Sequence, residues 1–525
     1  MRRVGIDVGG TNTDAVLLDG SRVAHSAKVT TTDDVTSGMR AALALLAGKE
    51  PLSNLDAIVV GTTHFINAVV QRSELEPVAA LRIGTPASRS IPPYCDWPKD
   101  LRQTIDHGIW SVAGGHEYDG SPFLALDEEA VRNAAVQIRD RGLRSIAICG
   151  VFSPVNAEHE EHAAAIIREV CPDMSITCSS ALGRIGLLER ENVALLNAAL
   201  VHLARRVTDA IVAAARELGV AAPLYFSRND GTIASIEDTV RQPVYSFACG
   251  ATNSMRGGAF LSGLKEAIIA DVGGTTTDVG LLQNGFPRQA NSTVRIGEVR
   301  TLFRMPEVLS IGLGGGSLVS EDGSAVGPRS VGYQLARKAR VFGGSTLTAT
   351  DVAVARGSAK IGHALEQGSV PLDVCHTFDQ TCRHMLEDVI DRVKIKAGDL
   401  PVVAVGGAAF LVPDALRGAS NVIRVANAEC ANAVGAALAQ VAGEVDHIYK
   451  DASRAEALED AQRRACERAV NAGANAATLE LTDVEEIPLA YLPGNSVRVR
   501  ARVIGSMATA GSGGQPSGTS ADNTV

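Results

Sequence analysis

The amino-acid sequence predicts an α/β protein of two related half-domains facing each other across a cleft, and three observations carry that prediction. First, Asp7-Val-Gly-Gly-Thr-Asn-Thr-Asp14 returns later in the chain as Asp271-Val-Gly-Gly-Thr-Thr-Thr-Asp278, with one position changed. Second, each copy lies between short apolar runs, residues 4–6 and 15–18 for the first and 267–270 and 279–282 for the second. That pattern reads as strand, glycine turn, strand. Third, Ala, Val, Leu and Gly dominate while aromatic residues make up only 4% of the chain, as in proteins that alternate strands with Ala-rich helices and small-residue turns.

Two glycine-tipped hairpins make a phosphate-gripping device. Gly9, Gly10, Gly273 and Gly274 permit positive φ and let bare backbone approach a ligand. Thr11, Thr13, Thr275 and Thr277, with Asn12 and Thr276 between them, add side-chain donors to the backbone amides, a concave set suited to phosphate oxygens. Asp7 and Asp271 close the incoming strands, where a carboxylate can hold a hydrated Mg²⁺ that bridges phosphates. Asp14 and Asp278 take a structural part in the second strand of each hairpin. A single Gly-Gly-Thr turn is only a turn; the repeat predicts two hairpins closing on one triphosphate.

Taken in order, residues 3–29 hold three short apolar runs, and 34–46 follow with helical spacing. Residues 55–60 read as the next, parallel strand, delivering Gly61-Thr62-Thr63-His64 to the sheet ends where α/β proteins bind ligands. His64 is a candidate to position water or touch the reacting group. Residues 76–83, 145–152 and 175–178 read as strands completing the first half, 127–141 as a helix, and 85–122 as an insertion or surface arm. Residues 183–218 read as one long helix or a broken pair bridging the halves. Asn229-Asp-Gly-Thr232 ends a strand, residues 244–248 read as another, Cys249-Gly-Ala-Thr-Asn-Ser254 reads equally as an anion site or an ordinary helix cap, and a small-residue helix over 255–263 leads into the second hairpin. Gly314, Gly315 and Gly316 cannot stabilise a helix or strand, so they predict close backbone approach to a ligand or a hinge. Gly406 and Gly407 end a strand at 402–405. Residues 431–441 and 453–472 read as helices, and 477–481, 485–491 and 496–503 as strands.

The implied layout is a first half over 1–182 with the insertion near 85–122, a helical bridge over 183–240, a second half over 241–445, a C-terminal helix and strands over 446–505, and a disordered tail over 506–525. Three other clusters read as ordinary structure. His159 and His162 lack the spacing that puts two imidazoles on one helical face. Cys375, His376, Cys382 and His384 fit no zinc template and lie in a helix-periodic stretch. Thr350-Asp351 reads as a helix N-cap.

Composition excludes several classes. A net charge of −10 and the absence of any Lys/Arg-rich run argue against nucleic acid. Nine cysteines without a Cys-x-x-Cys pair suit a reduced, cytoplasmic protein, and no apolar stretch is long enough for a signal segment or membrane span.

At its two hairpins the chain resembles the nucleotide-binding superfamily of actin, sugar kinases and heat-shock chaperones. Within that superfamily it is most similar to the hydantoinase A/oxoprolinase family, whose blocks resemble Gly61-Thr-Thr-His-Phe-Ile-Asn-Ala68, Asn229-Asp-Gly-Thr232, Ser310-Ile-Gly-Leu-Gly-Gly-Gly-Ser317, Val405-Gly-Gly-Ala408 and Ala431-Asn-Ala-Val-Gly435, in that order. The resemblance implies two ribonuclease-H-like half-domains of the actin-like ATPase fold around a nucleotide cleft. It implies ATP and Mg²⁺ as cofactors, with Gly406-Gly407 beneath the adenosine. It further implies ATP-dependent hydrolysis of a cyclic amide such as a hydantoin, oxoproline or lactam, through phosphorylation of the amide oxygen, with a second hydantoinase-type subunit, a homo-oligomer or both as partner. Two rivals share the cleft: a small-molecule kinase, for which neither a base aspartate nor a Cys-rich motif is identifiable here, and an ATP-switched chaperone or reactivating factor.

Overall fold

The computed structural model describes residues 1–9, 12–30, 35–183, 185–290, 293–302, 305–363, 365, 368–438, 440–489 and 496–508, with backbone alone at 35 and 36. The chain divides into two compact units, Met1–Leu438 and Ala439–Val525.

Within the first unit, strands β1 (Arg2–Val8), β2 (Asn12–Asp19) and β3 (Arg22–Thr30) form an antiparallel meander, followed by helix α1 (Val35–Lys49) and strand β4 (Ala57–Thr62). Strand β4 runs parallel to β1 and is buried along its whole length, as a strand covered on both faces must be. The short helix α2 (His64–Gln71) leaves directly from the end of β4.

The chain then builds a separate sheet. Strands β5 (Val78–Thr85), β6 (Asp106–Ala113), β7 (Ser145–Gly150) and β8 (Ser175–Cys178) are all parallel, in the order β6-β5-β7-β8, over a core of Leu81, Ile83, Ile146 and Ile148. Residues 76–83, 145–152 and 175–178, expected as strands of the first half, form this sheet together with β6, which comes from the stretch expected as an insertion or surface arm. Gly108 within β6 and Gly114 and Gly115 just after it, all at positive φ, disguise the strand as a loop. His159, expected in solvent, is buried here: its Nδ1 accepts from the Gly115 amide at 2.9 Å and its ring lies 4.3 Å from that of His116.

A single 31-residue helix, α3 (Leu187–Glu217), occupies the expected bridge. Strands β9 (Leu224–Ser227) and β10 (Ile233–Ala234) then extend the first sheet to the order β10-β9-β4-β1-β2-β3. The expected strand at 244–248 is a 3-10 turn, Pro243–Ser246, opening into helix α4 (Cys249–Ser262).

The second half repeats the plan. Strands β11 (Ala267–Val272) and β12 (Thr277–Gln283) form an antiparallel hairpin, β13 (Val308–Ile311) pairs with β12, and β14 (Leu400–Val405) and β15 (Ala419–Arg424) add parallel strands beyond β11. The registers match as well: Asp7 stands opposite Asp14 and Val8 opposite Thr13, as Asp271 stands opposite Asp278 and Val272 opposite Thr277. Both sheets follow the ribonuclease-H-like plan.

Helices α4 and α5 (Ala431–Ala437) join the halves. Val16 and Leu18 of the first sheet pack with Ala433, Val434 and Ala437 of α5; Ile269, Val403 and Val405 of the second pack with Met255 and Ala259 of α4. The helices meet backbone to backbone. A Cβ at Gly257 would overlap the Ala431 carbonyl oxygen, and one at Gly435 would overlap that of Asn253.

In the second unit, β16 (Val441–Tyr449), β17 (Glu480–Pro488) and β18 (Val497–Gly505) form an antiparallel sheet in the order β16-β18-β17. Helix α6 (Arg454–Asn471) starts at a Ser453/Glu456 capping box and buries Ala457, Ala461, Ala465 and Ala469, one face at i, i+4 spacing. The helix expected to run to 441 gives way to β16. Expectations for 490–491 and for the tail from 509 fall outside the described residues.

Candidate functional site

Asp7 and Asp271 stand at matching places, one residue before the end of β1 and of β11. Both turns close alike: the Gly9 amide donates to the Asn12 carbonyl at 3.1 Å and the Gly273 amide to the Thr276 carbonyl at 2.9 Å. Gly10 and Thr11 lie outside the described residues. At the second tip Thr275 and Thr276 are exposed, and a Cβ at Gly274 would meet nothing within 4 Å. In the first hairpin Asn12 is half-buried.

Several expected ligand contacts are committed elsewhere. Thr277 is buried and its hydroxyl donates to the Leu313 carbonyl at 2.6 Å. Its counterpart Thr13 is buried against α1, where a Cβ at Gly38 would stand 2.6 Å from the Thr13 hydroxyl oxygen. The alternation of a strand explains both: residues one step along from the tip point into the sheet's packed face. The amides of Gly314, Gly315 and Gly316 donate to Ser317 Oγ at 2.9 Å, the Gly273 carbonyl at 3.0 Å and the Gly274 carbonyl at 2.7 Å. The triple glycine is therefore a brace pressed against the second hairpin: a Cβ at Gly314 would stand 2.6 Å from the Thr275 nitrogen. Thr350 holds that brace from behind, its amide and hydroxyl donating to the Gly315 carbonyl at 2.9 and 2.8 Å, while Thr348 and Asp351 form the capping box of their helix.

Glycines also make room beside each aspartate. Gly406, at φ 90°, has no space for a Cβ against Asp271 Oδ1 and the Val272 carbonyl, whereas Gly407 is exposed with open space around it. On the other sheet Gly61 pairs with Asp7, and a Cβ there would stand 3.1 Å from Asp7 Oδ1. His64 heads α2 with its Nε2 3.1 Å from Glu74 Oε2, an exposed partner.

Helices α4 and α5 supply the residues that contact the inner aspartates. Asn432 donates through Nδ2 to Asp7 Oδ2 at 3.3 Å, and Ser254 lies against Asp271. Asp7 is 5% exposed and its Oδ1 has no hydrogen-bond partner among the described residues. Burial, then the Asp14 charge and more weakly Asp271, push the Asp7 carboxyl up to about 7 against the pull of Asn432. Burial and the Asp278 charge push Asp271 up to about 6 against the Ser254 hydroxyl. Asp271 adds weakly to the rise at Asp7, and Asp14 to the rise at Asp271, as like charges do across a shared low-dielectric region. Lys28 pairs with Asp14 and Ser310 with Asp278, so the outer aspartates are neutralised or hydrogen-bonded, while Lys28 offsets the inner ones only weakly and from a distance.

Such a donor set fits a hydrated Mg²⁺, which takes one or two carboxylates plus waters and phosphate oxygens rather than an all-protein cage. Among the described residues no group of three or more His, Cys, Asp or Glu could hold a metal ion by itself. Cys375 and Cys382 are buried in the helix Leu372–Val393, around Phe378. Beside the second hairpin a pocket of about 430 Å³ opens, lined by Arg329, Ser330, Arg337, Lys338 and Thr346; Ser330 donates to the Gly274 carbonyl at 3.5 Å. No helix among the described residues is long and apolar enough to cross a membrane.

Two ribonuclease-H-like halves, each contributing a glycine-tipped hairpin and an inner aspartate, define the actin-like ATPase fold class. The family models Hydantoinase/oxoprolinase N-terminal region and Hydantoinase/oxoprolinase match residues 3–171 and 190–440. The chain belongs to the hydantoinase/oxoprolinase family. It is 29% identical to caprolactamase subunit alpha of Pseudomonas jessenii over 71% of this chain and 56% of that protein. It is 30% identical to the acetophenone carboxylase gamma subunit of Aromatoleum aromaticum over 67% of this chain and 53% of that one. It thus spans about half the length of these relatives. The crystal structure of the ATP-dependent caprolactamase from Pseudomonas jessenii superposes with a TM-score of 0.75 at 22% identity, covering 96% of this chain and 88% of that one.

Proposed function

We propose that this chain binds ATP with Mg²⁺ between its two hairpins and uses it to open a cyclic amide, such as a hydantoin, oxoproline or lactam, by phosphorylating the amide oxygen. The observation that supports the proposal is the matching placement of Asp7 and Asp271 at the ends of β1 and β11, one buried and one half-buried, each raised by a carboxylate of the other hairpin. A pair so placed is costly unless a cation joins it. Mg²⁺ there would neutralise charge on the β- and γ-phosphates.

The chain's own residues then bind and orient. Gly9, Gly10, Thr11 and Asn12 on one side, and Gly273, Gly274, Thr275 and Thr276 on the other, offer amides and side-chain donors to the phosphates. The pocket cations Arg329, Arg337 and Lys338 add positive charge beside the second tip. Gly406 and Gly407 lie under the adenosine, and His64 orients water at the reacting carbonyl. Amide resonance makes the carbonyl a poor electrophile; when its oxygen displaces ADP from the γ-phosphorus, the resulting imidate can be attacked by water. The ring C–N bond breaks as nitrogen takes a proton, leaving an acyl phosphate that a second water hydrolyses to the carboxylate and inorganic phosphate.

A partner subunit would complete the enzyme. Caprolactamase and acetophenone carboxylase are named by subunits, and this chain covers 56% and 53% of the members it matches. The carboxylase relative supports a second reading, in which the phosphorylated oxygen is that of a ketone's enolate and the product is a carboxylated ketone.

ADP release by the chain, alone and with a supplied partner subunit, distinguishes these readings. Stimulation by hydantoins, oxoproline or lactams with ring-opened product is expected. ADP release that requires a ketone and bicarbonate would favour the second reading, and nucleotide hydrolysis indifferent to every small molecule would contradict both.

A further inference from the structure

We propose that Asn253 is a positioning residue for the ligand shared by Asp7 and Asp271, its amide holding that ligand from the floor of the cleft through Oδ1 and Nδ2 together. The inference rests on the reading of the cleft as a magnesium–nucleotide site and adds to it a residue from neither hairpin.

Asn253 lies one turn into α4, is fully buried, and has no hydrogen-bond partner at either end of its amide among the described residues. An orphaned amide inside a packed helix pair is unfavourable, and such groups persist where a ligand completes them. Its surroundings say where that ligand lies. A Cβ at Gly61 would stand 2.8 Å from Asn253 Nδ2 and 3.1 Å from Asp7 Oδ1, so the amide and the unpartnered carboxylate oxygen border the same glycine. The next residue, Ser254, lies against Asp271. Asn253 therefore sits between the two hairpins, as no residue of either hairpin does.

The helix cannot turn this side chain away. Its backbone carbonyl abuts Gly435 of α5 so closely that a Cβ there would overlap it, and Gly257 locks the next turn against Ala431. A neutral amide is also the chemistry the place calls for. It offers one acceptor and two donors without adding a third negative charge to Asp7 and Asp271. The ligand class that uses both is a metal-bound water, donating to Oδ1, next to a phosphate oxygen, accepting from Nδ2.

Asn253→Leu in the full chain tests this, because leucine keeps the branched outline of the side chain and removes both orphan atoms. Binding of a non-hydrolysable ATP analogue with Mg²⁺ is measured by calorimetry, and ligand-free melting temperature by scanning fluorimetry. The expected result is a Kd raised tenfold or more with a melting temperature equal to or above the wild type. Asn253→Ser, too short to reach the ligand, provides the same comparison should the leucine variant fail to fold. Unchanged affinity in either folded variant, with the wild type binding normally, overturns the role of Asn253 alone. No binding by the wild type overturns this proposal together with the reading of the cleft on which it rests.

Discussion

Asp7 and Asp271 face opposed demands, since folding buries them while a cation can bind only their charged forms. Their carboxyls are raised from 3.8 to about 7 and about 6, so the folded chain holds protons that the unfolded chain has released. The stability this contributes is complete below pH 4 and is lost as pH rises through 6 and 7. Ligand-free protein should therefore become less stable between pH 5 and pH 8, by on the order of 3 kcal/mol, and Asp7→Asn/Asp271→Asn should abolish most of that slope. Chemical denaturation at both pH values checks it; equal slopes in the two proteins would contradict the assignment. Mg²⁺ should restore stability at pH 8 in the wild type only. The sequence made these two aspartates visible because the repeat marks them. It could not separate Thr13 and Thr277, which are buried, from Thr275 and Thr276, which are exposed, since a tip and its first inward step carry the same residue types.

The elements that bring the hairpins together are α4 and α5, and their contact depends on two missing side chains. Gly257→Ala and Gly435→Ala each place a Cβ on a backbone carbonyl that has no rotamer by which to yield. Each should destabilise the first unit by at least about 2 kcal/mol and weaken nucleotide binding, whereas Gly274→Ala, with open space around it, should not destabilise the fold. Denaturation midpoints of the three variants measure the difference. The hairpins β1/β2 and β11/β12 and the long helix α3 were readable from sequence because their signals are local: alternating apolar residues, a glycine turn, an Ala/Leu period. The parallel sheet β6-β5-β7-β8 was not, since β6 lies among turn residues and parallel partners are far apart in the chain. Nor was the helix crossing, whose Gly and Ala residues look like capping and filler until the two helices are seen to touch. Residues 249–254 were legible as an anion site or an ordinary cap, but Asn253 could not be singled out among them: its significance is burial without a partner, which tertiary packing alone creates.

At the scale of the molecule, the first unit is a repeated ribonuclease-H-like plan whose matching registers put the two aspartates at equivalent positions of their hairpins. Family membership and the whole-chain superposition on the caprolactamase structure agree with that plan. The chemistry proposed for the cleft depends on a single idea, that Asp7 and Asp271 serve one bound metal–nucleotide rather than two separate ions. Calorimetric titration of a non-hydrolysable ATP analogue with Mg²⁺ into the wild type, Asp7→Asn, Asp271→Asn and the double variant tests it most directly. The account predicts one site per chain, a loss of about tenfold or more for each single variant, and a double variant little worse than either. Two sites per chain, or losses that simply add, would contradict it.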